Sequence, residues 1–114
     1  MGEMSLSFMP LKSVKEFNHA KNIVKDNGEN FFTNFYVGED ILNTWINRGQ
    51  IFSVVTNKSL FILRLRRGFW HLYFLTNDLD IFSDELSRLT EKLNSVISTD
   101  LLGQAKGGGW RLTI

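Results

Sequence analysis

The 114-residue sequence contains no cysteine, two histidines and a single proline, Pro10. The lack of cysteine excludes disulfides, thiolate zinc sites, iron–sulfur clusters and cysteine nucleophiles. His19 and His71 are too few for a metal site built on imidazole, so we expect no bound metal. No stretch approaches the ~20 apolar residues that a membrane-spanning helix requires. The first residues lack a basic segment followed by an apolar one, which predicts no signal peptide and a cytoplasmic location.

The chain also lacks an excess of charge of either sign, since 13 Lys and Arg residues oppose 12 Asp and Glu residues. Sustained nucleic-acid binding usually requires a basic stripe, so this balance argues against a nucleic-acid partner. Aromatic side chains are abundant, with ten Phe, three Trp and two Tyr. A chain of this length forms one domain, and it is long enough to bury a core built on these rings.

Three helices are predicted. Ser13 and Glu16 have the spacing of a capping box at the start of the first helix, which covers about residues 13–26. A second, shorter helix ends at Gly49, and Ser83 is predicted to cap the third. The apolar face of the third helix consists of Phe82, Leu86, Leu89, Leu93 and Val96.

Five strands accompany these helices. A short edge strand, Leu6–Met9, comes first. Three alternating segments, Gln50–Thr56, Leu60–Arg66 and Phe69–Thr76, are separated by tight turns and predict an antiparallel meander. Ile97–Leu102 is predicted to be a closing strand after the third helix.

The predicted fold class is α+β, with a central antiparallel or mixed sheet and the element order β-α-α-β-β-β-α-β. Residues 1–103 are predicted to form the domain. Residues 104–114 are predicted to be a glycine-rich hinge followed by a trailing strand, Trp110–Ile114, which suits exchange with a partner.

The run from Leu6 to Leu102 resembles, in its element order, the first two-thirds of the fold of the GNAT family of N-acetyltransferases. The phrase Asn34-Phe35-Tyr36, followed by Trp45-Ile46 and by Gly49-Gln-Ile-Phe, resembles the amino-terminal half of tandem acyltransferase-like proteins. The resemblance implies transfer of an acyl group from a coenzyme A thioester to an amine.

In that family, strand four splays from strand five and holds the pantetheine arm through its backbone, and the next loop binds the pyrophosphate at a helix N-terminus. The matching loop of this chain, Thr76–Ser83, has no Gly, Arg or Lys, and it carries Asp78 and Asp80. Like charges would repel a diphosphate, so we expect no coenzyme A bound in the family's way and assign no cofactor-binding residues.

Few side chains are candidates for chemistry. Tyr73 is a candidate general acid and His71 lies on the same strand face, although such residues are more often part of a core. Arg64, Arg66 and Arg67 form a basic cluster that is a candidate anion site, the alternative being a solvated turn.

The aromatic side chains exceed what a core of this size needs, and the surplus predicts an interface. The candidate interface residues are Phe31, Phe32, Phe35, Trp45 and Trp110.

Three functions follow as hypotheses. The first is a degenerate, non-catalytic acyltransferase-like domain that binds a second domain or a second copy of itself. The alternatives are an active N-acetyltransferase that uses acetyl-CoA and completes its site by dimerising, and a stand-alone binding module for an anionic partner.

Overall fold

A central sheet with helices on both faces forms the structure, a computed structural model that describes residues 8–67, 69–99 and 110–112, with side chains for 8–67 and 69–93. The described elements, in chain order, are β1 (Met9–Pro10), α1 (Val14–Asp26), β2 (Phe32–Thr33), α2 (Glu39–Arg48), β3 (Ile51–Val55), β4 (Ser59–Arg66), β5 (Phe69–Thr76), α3 (Leu79–Thr99) and β6 (Trp110–Leu112).

The strands β1, β3, β4, β5 and β2 lie side by side in that order, and every neighbouring pair is antiparallel. Strand β6 is parallel to β5 and pairs with its first half, so that Trp70 lies opposite Trp110. The α+β class and the predicted meander are therefore confirmed.

Each face of the sheet is covered by helices. The face that carries Phe61 and Leu63 packs against Leu89 and Leu93 of α3. The opposite face, which carries Ile62, packs against α1 and α2. In the described part of the chain, no helix is long and apolar enough to cross a bilayer.

Local signals in the sequence explain how α1 and α2 begin and end. The Ser13 hydroxyl accepts a hydrogen bond from the Glu16 amide at 3.0 Å, which confirms the predicted cap of α1. Helix α2 ends at Gly49, whose φ of 74° lies in the left-handed region that glycine adopts without strain.

Helix α3 departs from the sequence prediction at both ends. It begins at Leu79 rather than after Ser83, because Asp78 supplies the cap. It also continues through Thr99, so the closing strand predicted over Ile97–Leu102 is wrong for residues 97–99, while residues 100–102 lie outside the described residues. No Gly or Pro interrupts the helix over residues 94–99.

Strand β6, which is parallel to β5, lies inside the segment predicted to trail from the domain. A two-residue strand, β2, was not predicted. It pairs with the last residues of β5, with Phe32 opposite Thr76 and Thr33 opposite Leu75.

A buried polar network fixes α3 to the sheet. Ser59, Thr76 and Glu85 are each at most 1% exposed. The Ser59 hydroxyl donates to Glu85 Oε1 at 2.5 Å, and Ser59 Oγ lies 2.8 Å from Thr76 Oγ1. Strands β4 and β5 are thus tied to the second turn of α3 through side-chain oxygens.

Candidate functional site

The outer edge of β5, the edge not paired with β4, is the place where the family resemblance predicts a ligand. Strand β6 pairs with this edge at residues 70–72, and β2 pairs with it at residues 75–76. Between them lies a short stretch of β5 backbone, from the Leu72 carbonyl to the Phe74 carbonyl.

The side chain and backbone of Asn34 fill that stretch. Its amide nitrogen Nδ2 donates to the Leu72 carbonyl at 3.3 Å, and its Oδ1 accepts from the Phe74 amide at 2.6 Å. Its backbone amide donates to the Phe74 carbonyl at 3.2 Å, and the Thr33 hydroxyl donates to the same carbonyl at 2.8 Å. Asn34 therefore forms hydrogen bonds with the backbone groups of β5 as a neighbouring strand would. It is buried, with 9% of its surface exposed.

The first turn of α3 is likewise occupied by the chain's own groups. Asp78 Oδ1 accepts from the amides of Asp80 and Ile81 at 3.1 and 3.2 Å, and the Asp78 carbonyl accepts from the Phe82 amide. A carboxylate at a helix N-terminus is stabilised by the helix dipole. These amides are the donors that an anion would need, and the aspartate already uses them.

The remaining acidic residues near this turn do not form a metal site. Asp84 pairs with Arg88 at 3.1 Å on the exposed side of α3, and Glu85 is turned into the core. Within residues 8–67, 69–99 and 110–112, no group of three His, Asp or Glu side chains is arranged to hold a metal ion.

The two candidate catalytic residues lie on the face of the sheet that α1 and α2 cover. Tyr73 is 7% exposed, and its ring packs edge-on against Phe35 at 5.4 Å and stacks on Trp45 at 5.7 Å. His71 is half-buried and lies opposite Arg64 in the neighbouring strand. The phenol is thus held in an aromatic cluster, which leaves a substrate little access to it.

The arginine cluster predicted from the sequence is only partly brought together. Arg64 and Arg66 line a pocket of about 70 Å³ at the end of β4, together with Arg48, the last residue of α2, and Gln50, which lies between α2 and β3. Arg67 is absent from its walls and occupies the turn after β4 with a φ of 54°. No local pattern in the sequence pointed to Arg48, because only the packing of α2 on the sheet brings it near β4.

The predicted interface residues separate into two groups. Phe31 and Phe32 are 40% and 45% exposed, while Phe35 and Trp45 are half-buried in the cluster around Tyr73. Trp110 is the first residue of β6 and lies outside the residues with described side chains. Tyr36, which belongs to the same aromatic segment, is 82% exposed.

No family model matches the chain, and no curated protein or solved structure matches it either. Function is therefore inferred from the fold and from the geometry of these sites.

Proposed function

We propose that this chain is a GNAT-like domain that does not transfer acyl groups and instead acts as an interaction module that associates with a second copy of itself. The observation that carries the proposal is the closure of the outer edge of β5 by Asn34 and β2. The arrangement of β5, α3 and a parallel β6 beside an antiparallel meander supports the GNAT-like part.

We expect no coenzyme A to bind at the site where the GNAT family binds it. The pantetheine arm would need the backbone groups of Leu72 and Phe74, and Asn34 and Thr33 already bond to them. A pyrophosphate would need the amides at the start of α3, and the Asp78 carboxylate accepts from those. Binding in that mode would first have to break the hydrogen bonds that Asn34, Thr33 and Asp78 already make, so the new bonds would replace existing ones rather than add to them.

Binding of acetyl-CoA tests this part of the proposal. Because the pantetheine site is closed, we expect acetyl-CoA to bind no more than about twofold tighter than its nucleotide half alone, which lacks the pantetheine arm. Calorimetric titration with each compound at matched ionic strength measures both affinities. An acetyl-CoA affinity at least about tenfold greater than that of the nucleotide half would contradict the proposal and favour an active N-acetyltransferase.

Exposed aromatic rings beside the outer strand of the sheet support the proposed association of two copies of the chain. Phe31, Phe32 and Tyr36 all lie within six residues and are 40%, 45% and 82% exposed. β2 is the last strand of the main sheet path, a position at which a twofold axis can place identical patches against each other. A net charge of +1 imposes little repulsion between two copies.

Light scattering during gel filtration tests the association. We expect a species of about twice the 13.2 kDa chain mass, and we expect Phe32→Ser combined with Tyr36→Ser to weaken the association at least about tenfold, since aromatic anchors dominate interfaces. Val55→Thr, which also removes an exposed apolar side chain but at β3, serves as the control and should leave the dimer unchanged. A monomer at every concentration, or equal effects of both changes, would contradict this surface.

A further inference from the structure

A small basic pocket at the end of the sheet lies apart from the outer edge of β5. Six residues line it: Trp45, Arg48, Gln50, Arg64, Leu65 and Arg66. Helix α2, the connection from α2 to β3 and the end of β4 form its walls. The Leu65 amide donates to the Gln50 carbonyl at 2.9 Å, which fixes the distance between two of these walls.

Arg64 is held in place by an aromatic ring. Its guanidinium carbon lies 4.1 Å from the centre of the Trp45 ring, and Trp45 itself stacks on the buried Tyr73. A guanidinium that stacks through its flat face keeps its N–H donors on the edge, where they can bind oxygen atoms. The side chain is thus ordered before any ligand arrives, which lowers the entropic cost of binding.

Among the described residues, no carboxylate lines the pocket or forms an ion pair with its three arginines. Arg48 and Arg66 are exposed, and Arg64 is half-buried. The Asp84 carboxylate pairs with Arg88 on α3, and neither residue lines the pocket. No Asp or Glu is among the residues that line the pocket, so three guanidinium groups surround one small volume without a carboxylate.

We propose that this pocket binds a phosphate group. Converging guanidinium groups match the several acceptor oxygens of a phosphate, with which arginine forms paired, charge-assisted hydrogen bonds. One water molecule needs about 10–15 Å³ of cavity volume. A pocket of about 70 Å³ therefore accommodates the four oxygens of a tetrahedral oxyanion.

One phosphate group, carried by a small molecule or free in solution, is the ligand that the geometry fits. An extended polyanion would need a basic stripe, and the balance of 13 basic against 12 acidic residues provides none. This inference does not rest on the function proposed above, because none of the pocket residues closes the edge of β5.

Titration with inorganic phosphate at constant ionic strength tests the pocket, with the Trp45 indole N–H and the arginine Nε–H signals followed by NMR. We expect saturable shifts with a Kd on the order of 1 mM, the value that two charge-assisted hydrogen bonds give. Arg64→Gln and Arg48→Gln should each weaken binding about tenfold or more. Because Arg48 is exposed at a helix end, its variant keeps the test informative even where a change at Arg64 disturbs folding.

Arg67→Gln is the matched control, since it removes the same charge from the same hairpin outside the pocket walls. It should change the affinity by less than about twofold. An equal loss in the Arg67 variant, or shifts that do not saturate, would overturn the proposal in favour of general charge screening. Titration with methyl phosphate identifies which molecule carries the phosphate group. An affinity equal to that of inorganic phosphate supports a phosphomonoester ligand. A weaker affinity supports free phosphate.

Discussion

Replacing Asn34 with alanine is expected to lower the free energy of unfolding by about 3 kcal/mol, because it removes both side-chain hydrogen bonds to β5. The Leu72 carbonyl and the Phe74 amide would remain at a sealed edge without partners. Chemical denaturation measures the loss. Hydrogen exchange of the Phe74 amide should accelerate in the same variant, since its acceptor is the Asn34 side chain.

Two further variants make this prediction specific. Asn34→Asp keeps the acceptor for Phe74 but cannot donate to Leu72, and it buries a charge, so it should be no more stable than the alanine variant. Asn43→Ala, on the exposed side of α2, should change stability by less than about 0.5 kcal/mol. Full stability in the Asn34→Ala variant would show that the edge of β5 does not depend on this side chain.

Replacing Glu85 with alanine is expected to lower the free energy of unfolding by about 4 kcal/mol. The change leaves a cavity in the core and removes the acceptor of the Ser59 hydroxyl, and each of these effects is destabilising. Thermal and chemical unfolding followed by circular dichroism give the value. The effect is large because the network joins α3 to β4 and β5 at once.

Glu85→Gln separates the hydrogen bond from the charge. The glutamine keeps an acceptor oxygen for Ser59 and fills the same volume, so the loss should be about 1 kcal/mol. Glu91→Ala, on the exposed side of α3, should be close to neutral. If Glu85→Gln were as destabilising as Glu85→Ala, the carboxylate charge and not the hydrogen bond would hold α3.

Local patterns predicted most of the regular structure. The Ser13 cap, the left-handed Gly49 and the alternation along Leu60–Arg66 act within a few residues, and each appears where the sequence places it. Asp78 carried a readable signal as well, because aspartate is a preferred cap, but Ser83 offered a competing start one turn later.

Long-range contacts explain what the sequence did not predict. Asn34 acts on Leu72 and Phe74, about 40 positions away, and β2 is a strand only because β5 offers it an edge. Arg48 joins Arg64 through the packing of α2 on the sheet, whereas the adjacent Arg67 turns away into a tight turn. Sequence proximity therefore grouped Arg67 with Arg64 and Arg66, whereas Arg48 is the third arginine that lines the pocket.

The outer edge of β5 is closed by the chain itself, and the Phe74 amide, which donates to Asn34 Oδ1, reports on this closure directly. During NMR titration with acetyl-CoA, the backbone amide of Phe74 and the side-chain amide of Asn34 are predicted to keep their chemical shifts at every ligand concentration. Saturable movement of both signals, with loss of the bond between them, would mean that the edge opens to receive the pantetheine arm and would contradict the claim.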